Sequence, residues 1–275
     1  MRRKKLWRSV RTFTVVGASG LAACASAPAK REGYAESSTQ SEPDAEVDAQ
    51  GEGEGEGEGE GEGEGAGPVD LATDNIAYLT QLGLMRGHLH VGYELYKAGH
   101  LDSAKTHMKH PKDELYADVA PAFTARGTGG FATELETLSS AVETGKTREV
   151  VDAAYADLVA AIGKNEAPAA SEEPEDRIRL AAALTRVAAE EYAIAVVDGQ
   201  MKNAHEYQDA FGFTTVARSI VEALPDSAPA KAQAATLLDD ALGRMWPGLM
   251  PLDTLETSAE ELYGIAARLE LLAAG

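Results

Sequence analysis

From residue 71 onward, apolar positions recur every three to four residues, and β-branched residues nowhere alternate with polar ones over a strand's length. That periodicity predicts helices throughout and no sheet. The first helix is read at about residues 74–98, with Tyr78, Leu82, Met85, Leu89, Tyr93 and Tyr96 on one stripe. Gly83 and Gly87, four apart, add a bare strip where a second helix can come close. The chain then turns at Gly99, and a second helix covers about residues 101–109. Pro111 disfavours the α conformation at His110 and suits the first turn of a new helix, so a third should begin there and end or kink at Pro121.

Further helices follow at about 131–144 and 147–162, the latter with Thr147 as N-cap, then a break at 164–176 rich in Pro, Ala and Glu. Beyond the break come helices at about 177–197, 204–224, 230–245 and 258–273. The expected fold is all-α: two antiparallel helical bundles, 71–164 and 175–275, fused in one globular unit. One hairpin, "YELYKAGHLDSAKTHM", is similar to a single tetratricopeptide unit. No 34-residue period repeats it, and a solenoid needs about three repeats.

Composition changes the picture at the N-terminal end. Residues 1–11 carry six basic side chains and no acid, and an apolar run follows from Thr12 to Ala23, the order of a secretory signal peptide. The run is too short to span a bilayer, which takes about 20 apolar residues. It ends Leu21-Ala22-Ala23-Cys24, which resembles the lipobox of bacterial lipoproteins. The resemblance implies removal of residues 1–23 and acylation of Cys24, the chain's single cysteine, with two or three acyl chains giving stable anchoring. Ala25 and Ser26 follow where an aspartate would favour inner-membrane retention, so the implied address is the outer membrane, facing the periplasm.

Residues 25–70 are rich in Ala, Ser, Glu, Pro and Gly, with the run "GEGEGEGEGEGEGEG" at 51–65. Such a segment cannot bury enough apolar area to offset the entropy of ordering, and is read with Cys24 as a disordered tether, 24–70. Its root-mean-square span as a flexible coil is roughly 35 to 40 Å. Loss of residues 1–23 removes six positive charges and takes the formal net charge from −20 to −26. A protein so acidic repels nucleic acid and anionic lipid and attracts cations.

The remaining chemistry lies in histidines and carboxylates. No P-loop, Rossmann glycine signature, nucleophile elbow or cysteine-containing metal motif is present, and no nucleophile, base and oxyanion set can be assembled, so no enzymatic role is expected. Five of the six histidines fall between His88 and His110. His88 and His90 lie about 200° apart on a helix and cannot serve one ion together; His90 shares a face with Glu94, and His88 lies with Leu84, Val91 and Leu95.

His107, His110 and Glu114 could converge around the Pro111 junction and take up His88 or His90 across the hairpin. Imidazole and carboxylate suit iron, zinc, nickel or copper, and Met85 and Met108 tilt the set towards copper. The same histidines also have a purely structural reading, since imidazoles near a helix C-terminus are favoured by its dipole. His205-Glu206-x-x-Asp209 has the start of a zinc-protease motif and lacks its second histidine.

The pattern Glu191-Tyr192, Ala195-Val196, Asp198-Gly199, Asn203, Glu206-Tyr207-Gln208 and Phe213 resembles the helical extracytoplasmic region of bacterial high-affinity iron permeases. The resemblance spans residues 188–213, and the permease's membrane helices are missing, so transport does not carry over. It implies an iron-handling context in which Glu191, Glu206 and Tyr207 inherit a ligand role. The expected function is therefore binding of iron or copper by a lipid-anchored envelope protein, accessory to metal uptake or homeostasis beside an envelope metal transporter. The alternative is an interaction lipoprotein that docks a membrane-protein partner without metal; exposure of the tyrosine stripe and of the Gly83–Gly87 strip would favour it.

Overall fold

A computed structural model of the protein describes residues 69–275; the expected signal peptide, Cys24 and all of the expected tether but residues 69 and 70 lie outside the described residues. The described part is almost wholly helical. Helix α1 spans Asn75–Ala98 and α2 Leu101–His110; a π turn, Pro111–Leu115, leads into α3, Tyr116–Ala125. Then come α4 (Ala132–Glu143), α5 (Arg148–Glu166), α6 (Pro174–Ala195), α7 (Ala204–Glu222), α8 (Lys231–Met245) and α9 (Ala259–Ala274). Among the described residues no helix is long and apolar enough to cross a membrane.

Helix α1 begins where Asp74 accepts a hydrogen bond from the Ala77 amide, and ends where Gly99 takes a left-handed conformation. Its expected stripe is buried at Tyr78, Leu82, Met85 and Leu89, but Leu79, Leu84, His88, Val91 and Leu95 on other faces are buried too. A helix enclosed on nearly every side belongs at the centre of a fold. Accordingly α1 packs against α2, α5, α6 and α7, α6 packs against α7 and α9, and α8 against α7 and α9. Leucines 82, 89, 135, 158, 184 and 238 are at most 1 % exposed, and each contributes about 2 kcal/mol by its burial. The apolar core runs without a break from Tyr78 to Ala273, drawing on helices from both sides of the 164–175 break.

Four local expectations need correction. His110 is helical (φ −49°, ψ −51°) and caps nothing: the widened π turn accommodates Pro111, so α2 runs into α3 without a break. Pro121 neither ends α3 nor stops its continuation to Ala125; it lies on an exposed face, where the carbonyl of Ala117 that its ring leaves without an N–H donor can meet water. Thr147 occupies the N-cap position of α5 but makes no capping hydrogen bond to the backbone; its hydroxyl pairs with the Glu149 carboxylate. Finally, Asp198-Gly199 forms the turn of a two-residue hairpin, with Val196 opposite Met201 and both turn residues at positive φ (52° and 71°). Asp-Gly favours this turn because both central positions need left-handed backbone.

Candidate metal centre

Two close helix contacts build the centre. Gly87 on α1 meets Gly212 and Phe213 on α7 so tightly that a Cβ at Gly212 would lie 2.5 Å from the Gly87 carbonyl oxygen. Gly92 does the same for α2: a Cβ there would lie 2.8 Å from Met108 and 3.2 Å from the Cβ of His107. The first approach sets His88 beside Asp209, and the second brings in His107. Helix α7 starts at Asn203, whose side-chain oxygen accepts from the His205 amide, so its first turns present His205, Glu206 and Asp209 to the junction.

Asp209 is the hub. It is 1 % exposed, His107 is fully buried and His88 nearly so. His88 Nδ1 lies 2.6 Å and His107 Nδ1 3.0 Å from Asp209 Oδ1, while His205 Nδ1 lies 3.1 Å from Oδ2. These separations permit ion pairing, yet His88 Nδ1, His107 Nδ1 and both Asp209 oxygens lack directed hydrogen bonds. The His107 and His205 rings stack at 4.1 Å, and the His110 ring stands 4.6 Å from His88 and 5.6 Å from His205.

The hydrogen-bond network fixes one tautomer. The Gln208 amide nitrogen donates to the Leu249 carbonyl (3.2 Å), so its oxygen faces His107 Nε2 at 2.9 Å. Nε2 must therefore carry the hydrogen, and a neutral His107 presents a bare Nδ1 lone pair to the Asp209 carboxylate. Two lone pairs 3.0 Å apart repel unless a cation lies between them, either a proton or a metal ion. Burial would raise the Asp209 pKa, but the adjacent imidazoles of His88 and His107 outweigh it and hold the carboxyl well below the ordinary range.

At the α6 side, burial and the neighbouring Glu206 push Glu191 up to about 8. Burial would raise Glu206 as well, yet hydrogen bonds from His205 and Glu191 hold it low, so the carboxyl pair shares one proton that resides on Glu191. Burial, with the charge of His88, lowers His110 to about 4, leaving it neutral at ordinary pH. His110 lines a surface depression with Lys105, Thr106, Lys109 and Asp113.

Two sets of residues proposed separately from the sequence thus form one cluster: His88, His107 and His110 from α1 and α2, with Glu191 and Glu206 from α6 and α7. His90 is not among them; it is half-buried against Phe211, on another side of α1. Tyr207 is not a ligand either: its hydroxyl donates to the Gly248 carbonyl (2.9 Å) and its ring packs against Tyr192 and Trp246. Glu114 lies in the π turn, and its side chain is outside the described residues.

Sequence reasoning did not give Asp209, His205 and Gln208 a place in this cluster. The His205-Asp209 spacing of four was their signal, set aside because a protease needs a second histidine there. Met85 and Met108 are buried in the apolar core, which removes their pull towards copper. A larger cavity of about 440 Å³ lies away from the cluster, where Arg86 is already paired with Glu166.

The donor set fits a metal ion. His88, His107 and Asp209 offer atoms within 4.8 Å of one another, as do His205, Glu206 and Asp209. Around a tetrahedral ion with bonds of 2.0–2.1 Å, donors stand about 3.4 Å apart, so modest rotations would close either set. Fold and site together define an all-α protein with a histidine–carboxylate cluster in its interior. Residues 167–271, which hold α6, α7, α8 and most of α9, match the family model described as "Iron permease-associated 4-helix bundle domain". That match links the chain to iron-permease-associated proteins and encloses the 188–213 stretch. Comparison with curated proteins and with solved structures finds no match. The matched region supplies Glu191, His205, Glu206 and Asp209, whereas His88, His107 and His110 come from helices before it.

Proposed function

We propose that the protein binds a transition metal ion, iron before copper, at the junction of α1, α2 and α7, and serves metal uptake or homeostasis in the cell envelope. The observation that carries this reading is the His107–Asp209 contact, where a fixed tautomer turns a lone pair towards a buried carboxylate that lacks directed hydrogen bonds. Imidazole and carboxylate without sulfur suit iron, and copper(II) next. The ion is cargo rather than a resident cofactor, and the similarity of residues 167–271 to an iron-permease-associated domain supports an envelope metal transporter as partner. The formal charge of −20 would raise the concentration of cations around the protein.

Burial of Gly83 and Gly87 against α6 and α7, and convergence of the histidines, speak against the metal-free docking alternative. Calorimetric titration of the purified protein with Fe(II), Cu(II) and Zn(II), with analysis of bound metal, tests the reading. Affinity tighter than about 10 μM for iron or copper is expected, and weaker binding of every ion would overturn it. Lipid on Cys24 would hold the protein at the outer membrane, facing the periplasm; Cys24→Ala should then move it from the membrane to the soluble fraction, and unchanged partitioning would refute the anchor.

A further inference from the structure

We infer that Asp209 bridges two metal ions, one held by His88 and His107 on its Oδ1 and the other by His205 and Glu206 on its Oδ2. This rests on the metal-binding reading above and adds a second site to it. The two carboxylate oxygens face different partners. Oδ1 is approached by His88 Nδ1 at 2.6 Å and His107 Nδ1 at 3.0 Å, and Oδ2 by His205 Nδ1 at 3.1 Å. Both oxygens are buried without a directed hydrogen bond, so each side of the carboxylate has an acceptor to satisfy.

One ion would satisfy one side and leave the other costly. The donors divide into two triads with Asp209 in common, each gathered within 4.8 Å. A carboxylate that gives one oxygen to each of two ions suits the spacing of about 3.5–4 Å found in two-metal sites. The His110 ring, 4.6 Å from His88 and 5.6 Å from His205, stands near both positions and beside a surface depression. Glu191, hydrogen-bonded to Glu206, orients the carboxylate of the second position from α6. Divalent ions that accept mixed imidazole and carboxylate ligands are the class that fits.

Cobalt(II) is the probe, because it takes such ligands and is paramagnetic. The full chain is loaded with excess Co(II), freed of unbound metal, and measured for bound cobalt per chain and for magnetic coupling by electron paramagnetic resonance. Two coupled ions per chain are expected in the unaltered protein, and one isolated ion in each of His205→Ala and Glu206→Gln, with helicity checked by circular dichroism. Should His205→Ala lose its helicity, Glu206→Gln decides, since it removes a charge and keeps the shape. One ion in the unaltered protein, two ions without coupling, or two ions retained in Glu206→Gln would overturn the bridge. One ion leaves the metal-binding reading standing, whereas no bound metal removes both.

Discussion

Asn165 and Asp209 are both polar, almost fully buried and packed beside α1, yet their surroundings differ in one respect. Asn165 has a partner for every group: its amide nitrogen donates to the carbonyls of Gly130 (3.2 Å) and Ala161 (2.8 Å), and its side-chain oxygen accepts from the Gly130 amide (2.9 Å). Its backbone carbonyl accepts from the Tyr78 hydroxyl (2.9 Å). Asp209 has three imidazoles within 3.1 Å and no directed hydrogen bond on either oxygen. A satisfied buried polar group rigidifies the fold, whereas convergent unsatisfied ones cost free energy that a bound ion can offset. The contrast assigns structure to the first residue and ligand binding to the second.

Asp209→Asn should break the contrast most sharply. It keeps the shape and removes the shared charge, so metal affinity is expected to fall by more than about 100-fold, beyond the usual 10–100-fold effect of outer partners. Asn165→Ala should do the opposite. Losing three hydrogen bonds and stranding the Gly130 amide should cost about 2–3 kcal/mol in urea unfolding, with metal affinity unchanged within about twofold. A stability loss at Asp209 alone, or an affinity loss at Asn165, would show the two roles to be misassigned.

Gln208→Leu sharpens the comparison from one step outside the ligands. Without the amide oxygen, His107 Nε2 no longer has the partner that fixes its tautomer, and metal affinity should drop about 10–100-fold. Equal affinity in a titration would remove the tautomer from the account.

The smallest effect concerns pH. Glu191 is raised from 4.5 to about 8, so the native protein holds a proton there that the unfolded chain has lost. The stability it contributes is fully present below 4.5 and disappears as pH rises through about 8. An ion beside Glu206 must displace that proton, so apparent affinity should climb towards pH 8, by at most about tenfold per unit, and flatten above it. His110, neutral above about 4, adds no slope in that window. Glu191→Gln should abolish the slope in the same titration; an unchanged slope would place the proton elsewhere.

Much of the fold was legible because helices announce themselves locally. The period of apolar residues placed every long helix to within a few residues, Gly99 marked its turn, and the Gly83–Gly87 strip foretold a close contact. What failed locally had local physics of another kind: a π turn absorbs Pro111, and an Asp-Gly pair makes a short hairpin where no sheet was expected. The site was half legible. Helical geometry separated His88 from His90 correctly, but which of them meets α2 depends on how α1 crosses α7 at Gly87 and Gly212, a pairing 125 residues apart in sequence. His205 and Asp209 were discounted as half of a one-helix motif because their missing ligands sit on α1 and α2. Tyr207 shows the reverse error: a family pattern suggested a ligand, and Gly248 and Trp246 occupy its hydroxyl and ring.

If the protein binds an ion as proposed, the ion lies where Asp209, His88 and His107 meet. Anomalous diffraction at the iron absorption edge from iron-loaded crystals tests it most directly. A peak is expected about 2.0–2.2 Å from an oxygen of Asp209 and from the Nδ1 atoms of His88 and His107. At full iron loading, no peak at that position, whatever lies elsewhere in the molecule, would contradict it.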